Sequence, residues 1–270
     1  MPFKNCVDLH MHTDNSDDAH HSVILMCEYA QRRGLRAVAV TDHCECNRYK
    51  TDRFDRAIRQ SYFETVKARA SFRGSLVVLA GMELGQAMQN LEAAEDALAA
   101  NDYDFVIGSL HNVAGEADFW QVDYTKKDPM ELLNRYFEEI YQLVVWNRFD
   151  TLAHLTYPLR YIVGVEHIDV DLARWAEPID AILKTLAANG KALEINTSGL
   201  RQPYGRALPH LEIVRRFREV GGEYITVGAD AHCCEDVGAN VEDGLQLALE
   251  AGFRYVSLFQ KREPMPVPIE

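Results

Sequence analysis

Apolar residues along the chain gather into eight short runs, at Cys6–His10, Arg36–Thr41, Leu76–Ala80, Asp104–Ser109, Thr151–Leu155, Ala192–Asn196, Tyr224–Gly228 and Arg254–Leu258. Nearly continuous apolar runs of this length, bounded by Gly, Asp or Asn, predict parallel strands buried on both faces. Between them the period lengthens to that of amphipathic helices, over about Ser22–Arg33, Phe54–Phe72, Leu91–Ala100, Pro129–Trp146, Leu172–Ala188, Pro209–Val220 and Val241–Ala251. Gly34, Gly190, Gly221 and Gly252 follow four of these helices, where a left-handed cap belongs. Strand and helix alternate with no linker or composition shift, so residues 1–270 read as one domain. Seven or eight such units fit a closed parallel barrel wrapped by helices. An open doubly wound sheet is the competitor, but no G-x-G-x-x-G or P-loop follows the first strand.

Composition narrows the classes of function. The 270 residues carry 28 Lys+Arg against 41 Asp+Glu, a net charge of −13. A surface of that sign, with no local basic run, disfavours nucleic acid and anionic membrane as partners. No apolar stretch reaches the ~18 residues of a membrane span, and no secretory pattern opens the chain. The six cysteines, in C-x-C and C-C arrangements, do not form a disulfide framework, so reduced thiols and a cytoplasmic setting are expected.

The ten histidines change the picture. The first strand leads into Asp8-Leu9-His10-Met11-His12, with Asp14, Asp17 and Asp18 just beyond. The second ends Thr41-Asp42-His43, the third Gly81-Met82-Glu83, the fourth Ser109-Leu110-His111, the fifth Ala153-His154, and the seventh Gly228-Ala229-Asp230-Ala231-His232. In a parallel barrel all C-terminal strand ends share one rim, so six metal-competent clusters converge. Strand side chains alternate, so His10 and His12 project to one side and can chelate one ion. Imidazole and carboxylate suit zinc, manganese or iron, and a carboxylate such as Glu83 can bridge two ions. A single strand-end histidine is more often a packed core residue; coincidence at six strand ends carries the metal reading. His20, His21, His167 and His210 lie off the strand ends and read as surface or capping residues, and Glu45 reads as a solvated loop acid. Thiolate ligation by Cys44 or Cys233 is not expected, since each adjoins a histidine on a strand of alternating faces.

These motifs, in this order from Asp8 to His232, resemble the PHP (polymerase and histidinol phosphatase) superfamily. The segment Glu194-Ile195-Asn196-Thr197-Ser198-Gly199-Leu200-Arg201 is similar to its histidinol-phosphate phosphatase branch. The resemblance implies a distorted (β/α)7 TIM-like barrel with its metals at the C-terminal strand ends, leaving the run near Arg254 peripheral. It implies two or three divalent ions: one on His10, His12, Glu83 and Asp230, a second on Glu83, His111 and His154, a third on His43, His232 and a first-loop acid. Asp17 and Asp18 both offer that acid; Asp18, six residues after His12, has the better spacing. The implied activity is hydrolysis of a small phosphate monoester, L-histidinol phosphate in histidine biosynthesis, by a metal-bound hydroxide attacking phosphorus. Arg160 and Arg201 correspond to phosphate-binding arginines, with Arg206 a nearby rival of Arg201. Another small phosphate ester, or a phosphodiester as in a nuclease, are the alternative substrates.

Overall fold

The computed structural model describes residues 3–270. Strands β1 (Val7–Met11), β2 (Ala37–Val40), β3 (His43–Glu45), β4 (Val77–Gly85), β5 (Phe105–Ser109), β6 (Thr151–Leu152), β7 (Ala192–Asn196) and β8 (Ile225–Gly228) form one sheet. Seven of them follow in the order β1-β2-β4-β5-β6-β7-β8, all parallel, and short β3 extends the pairing of β4 beyond the end of β2. Past the end of β8 the chain returns to β1: Asp230 N–H donates to His10 O at 2.7 Å, and His12 N–H to Ala231 O at 2.8 Å. These bonds bring the two edges together, so the sheet is a seven-stranded barrel, nearly closed, as expected.

The helices α1 (Val23–Arg32), α2 (Phe54–Ser71), α3 (Leu91–Ala99), α4 (Pro129–Trp146), α5 (Leu159–Ile162), α6 (Ala176–Ala188), α7 (Leu211–Glu219) and α8 (Val241–Glu250) surround it. Capping explains several starts: Ser22 and Asn90 accept from the N–H groups of Leu25 and Ala93, and Asp128 precedes Pro129 at the first turn of α4. Buried faces such as Leu132, Leu133, Tyr136, Phe137 and Ile140 of α4 join one core with the strand residues. The run near Arg254 is strand β9 (Tyr255–Gln260), paired antiparallel with β10 (Glu263–Pro268) outside the barrel. This hairpin covers the N-terminal end of the barrel, with Phe259 stacked on Phe105 at 5.1 Å and Arg262 paired with Asp150. The opposite rim is left for the chemistry. No helix among the described residues is long and apolar enough to cross a membrane.

Most strand limits shift by a residue or two from the sequence reading, and two shifts bear on the site. Thr151–Leu155 is a strand only over Thr151–Leu152; Ala153 N–H still donates to Gly108 O at 3.0 Å, and the chain leaves the ladder at His154. Strand β4 continues past Ala80 to Gly85, so Glu83 lies inside a strand, opposite His43 of β3. Gly81 does not stop that strand; a Cβ there would sit 2.8 Å from Thr41 and 3.0 Å from the carbonyl of Phe105. The glycine permits close packing of three strands.

Candidate metal centre

Glu83 is fully buried at the middle of the rim. Its Oε1 lies 3.1 Å from His111 Nε2 and 3.0 Å from His154 Nε2. Its Oε2 lies 3.4 Å from His10 Nε2, 3.5 Å from His12 Nε2 and 2.8 Å from His43 Nδ1. Asp230 Oδ1 faces the first pair, 3.8 Å from His10 Nε2 and 3.5 Å from His12 Nε2. The backbone aims it: Asp230 takes the left-handed conformation (φ 54°), which Asp tolerates better than most residues. On the outer side Asp18 Oδ2 is 3.6 Å from His43 Nε2 and 3.3 Å from His232 Nε2. All nine residues expected as ligands are therefore gathered in one continuous cluster. Both Asp17 and Asp18 line the cavity, and Asp18 is the one that reaches the two histidines.

The spacing around His10, His12 and Asp230 fits a cation better than hydrogen bonds. Ligands bonded to zinc at about 2.0–2.2 Å in tetrahedral directions stand roughly 3.3–3.6 Å apart, and the atoms of His10, His12, Glu83 and Asp230 are separated by 3.4–3.8 Å. The Nε2 atoms of His10 and His12 and the Oε2 of Glu83 are buried with no hydrogen-bond partner. A buried polar atom without a partner costs free energy unless something else satisfies it. The residues His10, His12 and Glu83, then His43, Glu83 and His111, then His12, His43 and His232 each bring three ligand atoms together. The donor set of imidazole and carboxylate fits divalent metal.

Electrostatics agree. Burial disfavours the His10 imidazolium, but the charges of Glu194, Glu83 and Asp230 outweigh it and hold the group well above its ordinary pKa. Burial likewise opposes charge on Glu83, yet His111, His10 and His43 keep it well below the usual carboxylate range. His12 is held well below by burial and by the neighbouring His43 and His232. A site that demands positive charge among closely packed carboxylates and imidazoles is one that a divalent ion satisfies without protons.

The centre opens into a cavity of about 380 Å³, walled by Asn47, Arg48, Asn112, Asp118, Trp120, Tyr157, Arg160 and Tyr161 among others. Arg160, only 9% exposed, donates through Nη2 to Asp230 Oδ2 at 3.0 Å and to Ser198 Oγ, while its buried Nε has no partner. Arg201 does not line the cavity. It spans Asp236 Oδ2 (3.1 Å) and the main-chain oxygen of Asp230 (3.1 Å), leaving its buried Nη1 without a partner. Arg206 is exposed and off the cavity wall.

Four carboxylates behind the cluster were not among the residues expected in the site. Asp8 accepts from the N–H groups of Ala229 and Gly238 at 2.8 and 2.7 Å, fixing the loop that bears Asp230 and His232. Asp42 accepts from Thr13, Ser16 and Ser61, shaping the loop that bears Asp18. Glu194 meets His10, and Glu45 lies 2.9 Å from His111 Nδ1. Glu45 is not a solvated loop acid: it is 5% exposed on β3, packed against Gly85, whose Cβ would come within 2.6 Å of its carboxylate. His21 is half-buried and accepts from Cys234 N–H, with Glu235 alongside, apart from the main cluster.

A barrel of seven parallel strands with histidine and carboxylate on its C-terminal rim defines a class, and the PHP domain family matches residues 8–198. This chain belongs to the PHP family. It is 28% identical over 270 residues to a Deinococcus radiodurans protein named as a probable histidinol-phosphatase, covering 96% of this chain and 98% of that one. The histidinol-phosphatase of Lactococcus lactis is 24% identical over 256 residues, with 94% of each chain covered. In the solved structures, the fold matches histidinol phosphate phosphatase from Lactococcus lactis, complexed with zinc, L-histidinol and phosphate. The TM-score is 0.83 at 23% identity, over 97% of this chain and 99% of that one.

Proposed function

We propose that this protein is a metal-dependent hydrolase of L-histidinol phosphate. The observation that carries the reading is Glu83, with two carboxylate oxygens ringed by nitrogens of five histidines and two unpartnered Nε2 atoms beside it. One ion would be held by His10, His12, Glu83 and Asp230, a second by Glu83, His111 and His154, and a third by Asp18, His43 and His232. Zinc suits these ligands and accompanies the Lactococcus lactis relative; manganese and iron suit them as well. Neighbouring divalent ions, when bound, lower the pKa of a water and neutralise phosphoryl charge.

The protein's own groups bind and orient. Arg160, fixed by Asp230 and Ser198, presents a guanidinium edge to phosphoryl oxygens at the mouth of the centre. Arg201 braces the main chain of Asp230, and its unpartnered Nη1 is a second donor for the same phosphoryl group. Tyr157 packs between Arg160 and the histidine pair His111 and His154, and its hydroxyl donates to Asp118 Oδ1 at 3.0 Å. Asp118 is then the carboxylate of the cavity wall that we assign to the cationic amine of histidinol.

The test is a panel of L-histidinol phosphate, p-nitrophenyl phosphate and single-stranded DNA, each offered to zinc-loaded protein. Hydrolysis of L-histidinol phosphate with the highest kcat/KM is expected. Preferential cleavage of DNA, or no preference for the cationic monoester over p-nitrophenyl phosphate, overturns the reading.

A further inference from the structure

Glu194 is 1% exposed in the middle of β7, the one charged residue of Ala-Leu-Glu-Ile-Asn, and no Lys or Arg among the described residues pairs with it. Its two oxygens are divided between the two inner halves of the metal centre. Oε1 stands 2.7 Å from His10 Nδ1. Oε2 accepts from the main-chain N–H of His154 at 2.8 Å and from Asn196 Nδ2 at 3.2 Å. Room for the carboxylate comes from Gly228 on the neighbouring strand, where a Cβ would approach Glu194 Oε1 to 2.8 Å and collide with His10. The His154 contact has a local cause: β6 ends at Leu152, so the N–H of His154 has no strand partner and needs another acceptor.

We propose that Glu194 is a positioning residue that serves both inner metal sites at once, setting the proton of His10 on Nδ1 and anchoring the backbone of His154. The inference rests on the metal reading above. A neutral imidazole carries one proton, and a carboxylate facing Nδ1 keeps it there, leaving the lone pair on Nε2. Nε2 is the atom that faces Glu83 and Asp230.

The chemistry explains why the residue is Glu and not Gln. Two groups on the Oε2 side, the His154 N–H and Asn196 Nδ2, are donors, so a glutamine would turn its carbonyl oxygen toward them. Its NH2 would then face His10 Nδ1, force that nitrogen to accept, and move the imidazole proton to Nε2, where it blocks a metal. Glu45 provides the internal comparison. It meets His111 Nδ1 in the same way at 2.9 Å, but its other neighbour, His43 Nδ1 at 3.6 Å, belongs to the outer set, so it serves only one inner site.

The experiment uses full-length protein and zinc alone as probe, with affinity read by chelator competition. Glu194→Gln is expected to weaken zinc binding roughly ten- to a hundredfold, the range for an outer-shell partner, with both inner ions affected. Glu45→Gln is expected to weaken one. In wild-type zinc-loaded protein labelled with 15N-histidine, the His10 ring is expected to carry its proton on Nδ1, a readout that needs no variant to fold. A proton on Nε2 of wild-type His10 overturns the proposal. So does a folded Glu194→Gln protein with wild-type zinc affinity. Neither readout involves a phosphate ester, so failure of the substrate panel leaves this test standing, and the reverse.

Discussion

Replacing Arg160 with lysine separates grip on the phosphoryl group from assembly of the metal centre. The guanidinium already spends Nη2 on Asp230 and Ser198, and its Nε is buried with no partner. Arginine can hold Asp230 and still offer donors on another edge; lysine has one nitrogen at the end of a flexible stem. If Lys keeps the Asp230 contact, it loses the aligned donor toward phosphate. A hydrogen bond to a charged group contributes about 1.5–3 kcal/mol, which at ~1.4 kcal/mol per factor of ten is roughly a ten- to hundredfold fall in kcat/KM. The positive charge is retained, and with it the attraction to Asp230, so zinc content is expected to stay at the wild-type level. The assay is kcat/KM for L-histidinol phosphate together with inhibition by inorganic phosphate and zinc per chain. Both kinetic values should deteriorate in parallel, because the grip is on the phosphoryl group. Wild-type kinetics and phosphate inhibition with zinc intact would refute the reasoning.

Other outcomes follow from the same geometry. Glu83→Gln removes the anion shared by the ligand sets, so zinc content and turnover should fall together, by more than the ten- to hundredfold of an outer-shell change; retention of both would exclude bridging. Arg201→Lys should lower kcat/KM and phosphate inhibition with zinc unchanged, again by roughly ten- to a hundredfold if its free Nη1 grips phosphate; unaltered kinetics would confine it to bracing Asp230. Zinc loading should release protons and strengthen as pH rises, because the metal-free imidazoles of His10 and His111 are held well above their ordinary pKa despite burial, by Glu194 and Glu83 for His10 and by Glu83 and Glu45 for His111. Each ion displaces protons that these groups otherwise keep, and titration in weak buffer with no proton release would contradict this. Gly228→Ala should destabilise by about 1–3 kcal/mol through overpacking against His10 and Glu194, seen as a lower melting temperature; an unshifted melt would show that the strand yields.

The barrel was legible because its strands are buried on both faces: Ala37–Val40 reads as a continuous apolar run, Ala192–Asn196 as one broken by Glu194, and both pair as expected. Strand β10 was not, since Pro264, Pro266 and Pro268 disguise it. Prolines at alternate positions suit an edge strand, with the missing N–H groups turned away from its one partner. Strand β3 was hidden inside the motif that carries His43 and Glu45. The metal-facing residues were legible for a local reason, their recurrence at strand ends. Their supports were not, because the partners are distant in sequence: Glu194 meets His10 across 184 positions, and Asp8 meets Gly238 across 230. A charged residue within Ala-Leu-Glu-Ile-Asn was the available clue, since a buried carboxylate demands partners. For Arg201 the sequence showed the loop but not the contacts of the side chain. Its loop follows a rim strand, yet the side chain turns to Asp236 and the Asp230 backbone, outside the cavity wall.

The most direct test is zinc-dependent hydrolysis of L-histidinol phosphate by a single preparation, stripped with chelator and then reloaded, with bound metal counted at each stage. The expected result is two or three divalent ions per chain in the active protein, loss of turnover with their removal, and recovery on adding zinc back. Full activity in protein shown to hold no metal would contradict the account.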